Sequence, residues 1–118
     1  FRDLWQAGVP LALGSDCPVA DPNPFWGMQA AVTRQRRDGT PAGGWYPAQR
    51  LSLAQAVWGF TMGAALVTGR QADLGSLSPG KLADLVILDR DPFALDPPEI
   101  AGVQVAMTVL DGEVVYRA

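Results

Sequence analysis

A chain of 118 residues with 48% apolar and 18% charged side chains is long enough to bury one modest core and too apolar for a disordered tail. Its net charge of −3, with no basic run longer than Arg36-Arg37, argues against nucleic acid or an anionic membrane as a main partner, and Gly, Pro and charged residues interrupt every apolar stretch before it reaches membrane-spanning length. The chain has no histidine, so it cannot build a Ser-His-Asp triad or a histidine zinc cage by itself; its single cysteine, Cys17, excludes an internal disulfide.

In chain order, Arg2–Gln6 reads as the tail of a helix, and Gly8 stands where helices commonly stop in a left-handed conformation. Val9–Leu13 is a short apolar run of the kind found in strands buried on both faces of a parallel sheet. The segment Ser15–Pro24 cannot continue that strand, because Pro18, Pro22 and Pro24 lack donors and fix φ. Phe25–Arg36 has helical spacing at Phe25, Met28 and Val32, with Pro24 suited to the first turn. The three glycines and two prolines of "RRDGTPAGGWYPAQR" make residues 37–49 a surface loop.

Ser52 and Gln55 have the spacing of a capping box, with Leu51 as the staple residue before the cap and Leu53, Ala56, Val57 and Phe60 as the apolar face. Thr61 is expected to cap a second helical piece, Met62–Val67, ended by Gly69. The period then changes. Pro79-Gly80 forms a turn between two short strand candidates, Leu85–Leu88 and Val103–Leu110 read as strands, and Asp111-Gly112 is a hairpin turn leading to Val114–Tyr116. The helical part therefore ends near residue 70. The opening "FRDLWQAGVPLALGSD" starts in mid-pattern, which reads as a piece of something longer. No signal peptide is expected, and the lone cysteine suits a reducing, cytoplasmic setting.

Two stretches carry a resemblance. "GSD", an acid closing an apolar run, is followed by "PVADPNPFWGMQAAVTR"; later, "TMGAA" precedes "GSLSPGKLADLVILDRDPF". Together they resemble the C-terminal end of the metal-dependent amidohydrolase superfamily, in the branch called amidohydrolase family 3. The resemblance implies an α/β plus β fold: residues 1–70 as the last strand and helices of a (β/α)8 barrel, and residues 71–118 as the C-terminal share of a composite β-sandwich. Val9–Leu13 would be barrel strand eight, and Asp16 would lie at its C-terminal end, where barrel active sites sit. The resemblance further implies a divalent metal, zinc by expectation, and a small-molecule substrate cleaved at an amide or cyclic amide C–N bond. Asp16 would bind the metal, or take the proton of a metal-activated water and return it to the leaving amine. Arg34 matches the arginine that often follows this helix in the family. It could meet a substrate carboxylate, with a surface ion pair as the alternative.

The remaining polar residues have plainer readings. Asp16 by pattern alone is a turn residue. Ser15 would satisfy a backbone group, and Cys17 would be a small buried side chain. Trp45-Tyr46 could wall a pocket, whereas Trp58 belongs to the core. Asp84 and Asp89 are solvated strand-end acids, and Lys81 follows a turn glycine without needing a function. The family's other metal ligands, mostly histidines, are not in these residues, so the chain alone is expected to be inactive. An excised barrel end is also expected to cover its apolar edges by self-association. A non-catalytic structural or binding module is the competing reading.

Overall fold

The computed structural model describes residues 1–118. Four helices come first: α1 (Arg2–Gln6), α2 (Pro24–Thr33), α3 (Leu53–Trp58) and α4 (Ala64–Val67). Three strands follow, β1 (Leu85–Leu88), β2 (Val105–Leu110) and β3 (Glu113–Arg117), in one antiparallel sheet of order β1-β2-β3. Short 3-10 turns occupy Pro47–Gln49, Pro92–Ala94 and Pro97–Gly102.

Local chemistry sets the helix ends. Pro24 stands in the first turn of α2, and the Asn23 side chain accepts the Phe25 N–H at 3.0 Å. The helix was expected to reach Arg36 but stops at Thr33, because Arg34 turns left-handed at φ 61. Its last carbonyls are then taken up by later residues: Leu51 N–H donates to Ala31, and the Arg50 Nε–H donates to Thr33 at 3.1 Å. At α3 the capping box is complete: Ser52 Oγ accepts the Gln55 N–H, and Gln55 Oε1 accepts the Ser52 N–H.

Thr61 does not cap a separate helix. Residues Gly59–Gly63 form a π-helical turn that joins α3 to α4 without a break, and Thr61 Oγ1 donates back to the Val57 carbonyl at 2.8 Å. The hydroxyl is satisfied inside the helix, so it has no cap to make. Gly69, at φ 70, ends the run as expected.

Val9–Leu13 is extended but pairs with no strand, and it is not buried on both faces. Val9 is 43% exposed, and only Leu11 and Leu13 pack against the core. A doubly buried strand needs neighbours on both edges, and the three strands of this chain pair only with one another. The segment lies instead across the π turn, where Leu13 N–H donates to the Gly59 carbonyl at 3.0 Å. This approach requires glycine. A Cβ at Gly59 would stand 2.7 Å from Leu13 Cγ, and one at Gly63 would collide with the Leu11 carbonyl oxygen.

The core joins both halves of the sequence. Phe25, Met28 and Ala31 of α2 meet Leu51 and Ala56, and also Ile100 and Val103 from the 3-10 turn before β2. Ile100 and Val103 are the largest fully buried side chains. Strand β2 consequently begins at Val105 and not at Val103, since Val103 is drawn into the helical core. Of the two strands expected around Pro79-Gly80, only β1 forms; the residues before the turn are irregular, in turns and bends. The β2–β3 hairpin turns through Asp111 (φ 50) and Gly112 (φ 82), both left-handed, as its sequence requires. Val86, Ile87, Val114, Val115 and Tyr116 of the sheet are exposed.

The glycine contact yields a test. Gly→Ala in a helix ordinarily stabilises by up to about 1 kcal/mol. At Gly63 the new methyl meets backbone, which cannot rotate away, so Gly63→Ala should destabilise by about 1–3 kcal/mol in denaturant melts. Gly102→Ala, with open space around its Cβ, is the control. Equal stability of the two variants would contradict the close packing.

Candidate active site at the Gly14–Asp21 loop

The chain leaves the helix surface at Gly14 and enters a proline-rich loop. Asp16 lies in its first turn at φ 52, and its carbonyl accepts the Val19 N–H at 2.8 Å. Aspartate tolerates the left-handed region better than most residues. The Asp16 side chain is exposed and belongs to neither ion pair of the structure, which are Arg70–Asp73 and Arg90–Asp89. Its carboxylate is thus open to an incoming group. Ser15 is half-buried and borders a cleft between this loop and α2.

Cys17 is exposed, contrary to the expectation of a small buried side chain. The three prolines keep the loop out of regular structure, and no element of this chain lies over it. No three His, Cys, Asp or Glu side chains gather anywhere into a group able to hold a metal. Within this chain the donor set therefore does not complete a metal centre, and Asp16 could supply one carboxylate ligand at most.

Arg34 makes no ion pair. Its Nε–H donates to the Trp45 carbonyl at 3.1 Å, and the Trp45 N–H donates to the Arg34 carbonyl at 2.8 Å. The guanidinium also lies over the rings of Phe1 (4.8 Å) and Trp45 (5.2 Å). Arg34 thereby closes the loop that runs from α2 to Trp45. It lines an open cleft of about 710 Å³ with Trp45 and Thr40, separate from the one that Ser15 borders. The structure thus does not bring Arg34 and Ser15 to one cleft; Gln35 and Arg36 stand between, lining both.

Trp45 does wall a cleft, with Tyr46 edge-on at 4.8 Å. Trp58 is half-buried and meets Trp5 edge-to-face at 5.2 Å, which ties α1 to α3. Asp84 and Asp89 do more than meet solvent. Asp84 Oδ1 accepts the Asp111 N–H at 2.8 Å, and Asp89 Oδ1 accepts the Gln104 N–H at 2.9 Å. The Arg90 guanidinium bonded to Asp89, helped by the Gln104 N–H, holds that carboxyl below its ordinary range. Both acids brace the sheet. Lys81 also has a structural role. Its Nζ donates to the carbonyls of Gln71 (2.6 Å) and Leu74 (2.8 Å) and gathers the turn before β1.

Two residues with ligand chemistry escape the sequence reading. Gln29 is only 3% exposed, and its Oε1 has no partner. The Arg37 guanidinium stacks on Trp26 at 3.7 Å. The signal for Gln29 was present: a lone amide in the apolar run "FWGMQAAV".

The family model described as the amidohydrolase family matches residues 1–116, and the chain belongs to that family, in the branch called amidohydrolase family 3. It is 29% identical over 117 residues to the YtcJ amidohydrolase of Bacillus subtilis, covering 99% of this chain and 22% of that protein. It is 34% identical over 116 residues to the N-substituted formamide deformylase of Arthrobacter pascens, covering 98% of this chain and 21% of that protein. Among solved structures, an amidohydrolase from Thermotoga maritima superposes with a TM-score of 0.67 at 26% identity, over 99% of this chain and 25% of that one. The chain thus spans about a fifth to a quarter of the length of these relatives. No helix is long and apolar enough to cross a membrane.

The Arg34 clamp is testable. Arg34→Leu removes the bond to the Trp45 carbonyl and the stacking charge. The Trp45 amide should then exchange with solvent at least about tenfold faster, matching the loss of one charged hydrogen bond of roughly 1.5 kcal/mol. An unchanged exchange rate would show that the backbone bond holds the loop alone.

Proposed function

We propose that this chain is the closing portion of a longer hydrolase that cleaves a C–N bond, amide or cyclic amide, in a small molecule, with Asp16 in the site. Residues 1–70 would be the last strand and helices of its (β/α)8 barrel, and residues 71–118 its share of a β-sandwich. The observation that carries the reading is the placement of Asp16: an open carboxylate at the exit of a segment pinned to the helical core, in a chain of amidohydrolase sequence. The relative named N-substituted formamide deformylase supports an acyl–nitrogen bond as the target. Val9–Leu13, unpaired here, would gain its strand partners from the rest of the polypeptide.

Asp16 would act twice. As water attacks the carbonyl carbon, the carboxylate accepts a water proton while the new C–O bond forms. As the C–N bond breaks, the same group returns that proton to the leaving nitrogen. The sum is water plus amide giving carboxylic acid plus amine, with Asp16 restored. A divalent metal, zinc by resemblance, would need most of its ligands from outside these residues.

The test is turnover of the complete polypeptide. Asp16→Asn keeps the shape but removes the proton acceptor, so hydrolysis should fall by about 10²–10⁴-fold. Asp84→Asn is the control, since its side-chain oxygen can still accept the Asp111 N–H. Near-normal turnover in Asp16→Asn, or equal loss in a folded Asp84→Asn, would make Asp16 a turn residue only.

A further inference from the structure

Positive charge gathers where the chain leaves α2. Between Asp21 and Asp73 the sequence holds Arg34, Arg36, Arg37, Arg50 and Arg70 but a single acid, Asp38, in a chain of net charge −3. That acid is engaged: Asp38 Oδ1 accepts the N–H (2.9 Å) and the hydroxyl (2.6 Å) of Thr40, and it forms no ion pair. Arg50 and Arg37 are engaged as well. Arg50 donates to the carbonyls of Thr33 and Gly43, and Arg37 stacks on Trp26. Arg34 and Arg36 differ. Arg34 donates only its Nε–H, to Trp45, so the other N–H groups of its guanidinium have no acceptor. The Arg36 side chain is exposed and joins no ion pair or hydrogen bond. Both residues line the open cleft of about 710 Å³ beside Trp45, a volume in the range of small-molecule sites, and no acid stands in its wall. The wall is held by the chain itself. Gln35 Nε2 donates to the carbonyls of Gly39 (2.7 Å) and Pro41 (3.1 Å), and the Arg36 N–H donates to the Thr40 carbonyl at 2.7 Å. Two guanidinium groups on one cleft repel each other, and an anion between them relieves the repulsion. Their planar N–H edges match the paired oxygens of a phosphoryl or carboxylate group, and two positive charges favour the phosphoryl group, which carries the larger charge.

We propose that the cleft of Arg34 and Arg36 binds the phosphoryl group of a small phosphorylated molecule. The guanidinium groups hold the phosphoryl oxygens, and the room beside Trp45, which is 62% exposed, takes the remainder of the molecule. The site is separate from the proposed hydrolysis, because Asp16 does not line this cleft.

The test is calorimetric titration of the complete polypeptide with inorganic phosphate at about pH 8, where the ion is mostly doubly charged. Saturable binding is expected, and Arg36→Gln should weaken it by about tenfold, the worth of one charge-assisted hydrogen bond. The Arg36 side chain makes no bond in the fold, so this variant should melt at the temperature of the unmodified protein; a lower melting temperature would show that Arg36 is engaged in folding and would overturn the proposal. Arg37→Gln, the same change of charge one residue on, should alter the affinity by less than about twofold. An equal loss from both variants would reduce the effect to diffuse charge and would also overturn it. Acetate should bind at least about tenfold more weakly than phosphate; acetate that binds as tightly would make this a carboxylate site instead. Asp16→Asn should bind phosphate as the unmodified protein does, whereas loss of binding there would place the ion at Asp16. Phosphate that never saturates, or that ignores Arg36→Gln, would overturn the proposal outright. Turnover enters none of these readings, so failure of the hydrolysis reading would leave the site standing.

Discussion

The backbone of Leu11–Leu13 lies closer to a helix than a helix with side chains at every position would allow. Glycine at 59 and 63 clears that space, and the Leu13 N–H fills it with a bond to the Gly59 carbonyl. The π-helical character of Gly59–Gly63 belongs to the same contact. The carbonyl that accepts from Leu13 is the first of that turn. The course of the chain just beyond Leu13 follows from this seating. Gly14, Ser15 and Asp16 come next in the chain, so their position is inherited from a contact between an extended segment and a helix, without any sheet.

The second constraint is nonlocal. The helical and β halves share one core, because Ile100 and Val103 insert against Phe25 and Met28. The deepest large side chains therefore come from a proline-led 3-10 turn after the first strand, well away in sequence from the helix that they support. That insertion holds α2, and α2 carries Trp26 and Gln29. The loop beyond α2 is held separately, by Arg34 and Arg50 bonding to backbone carbonyls. Polar side chains on main-chain oxygens, more than ion pairs, organise the irregular parts of this molecule. Lys81 does the same for the turn before the sheet.

What was legible in the sequence was what depends on neighbours in the chain. Ser52 and Gln55 satisfy each other within one helical turn, Asp111-Gly112 can adopt two positive φ angles, and Leu85–Leu88 forms a strand with the bounds its apolar run suggests. What was not legible depends on partners far away. Val9–Leu13 has the composition of a buried strand, but a strand exists only beside another, and here none is supplied. Cys17 has the size of a core residue, but burial needs a covering layer. Arg34 looked like a charge in search of a charge; its actual partners are a carbonyl and two rings, which no spacing rule encodes. Asp16 lies in a turn, at φ 52, after a segment that pairs with no strand, and the resemblance to amidohydrolases holds over residues 1–116.

The claim that the Gly59–Gly63 surface positions the segment before Asp16 can be measured at one atom. In the complete polypeptide, native-state hydrogen exchange should find the Leu13 amide protected to the same degree as the Ala56 amide of α3, and both should open together as denaturant is added. A Leu13 amide that exchanges at the rate of an open loop, while Ala56 stays protected, would contradict the account.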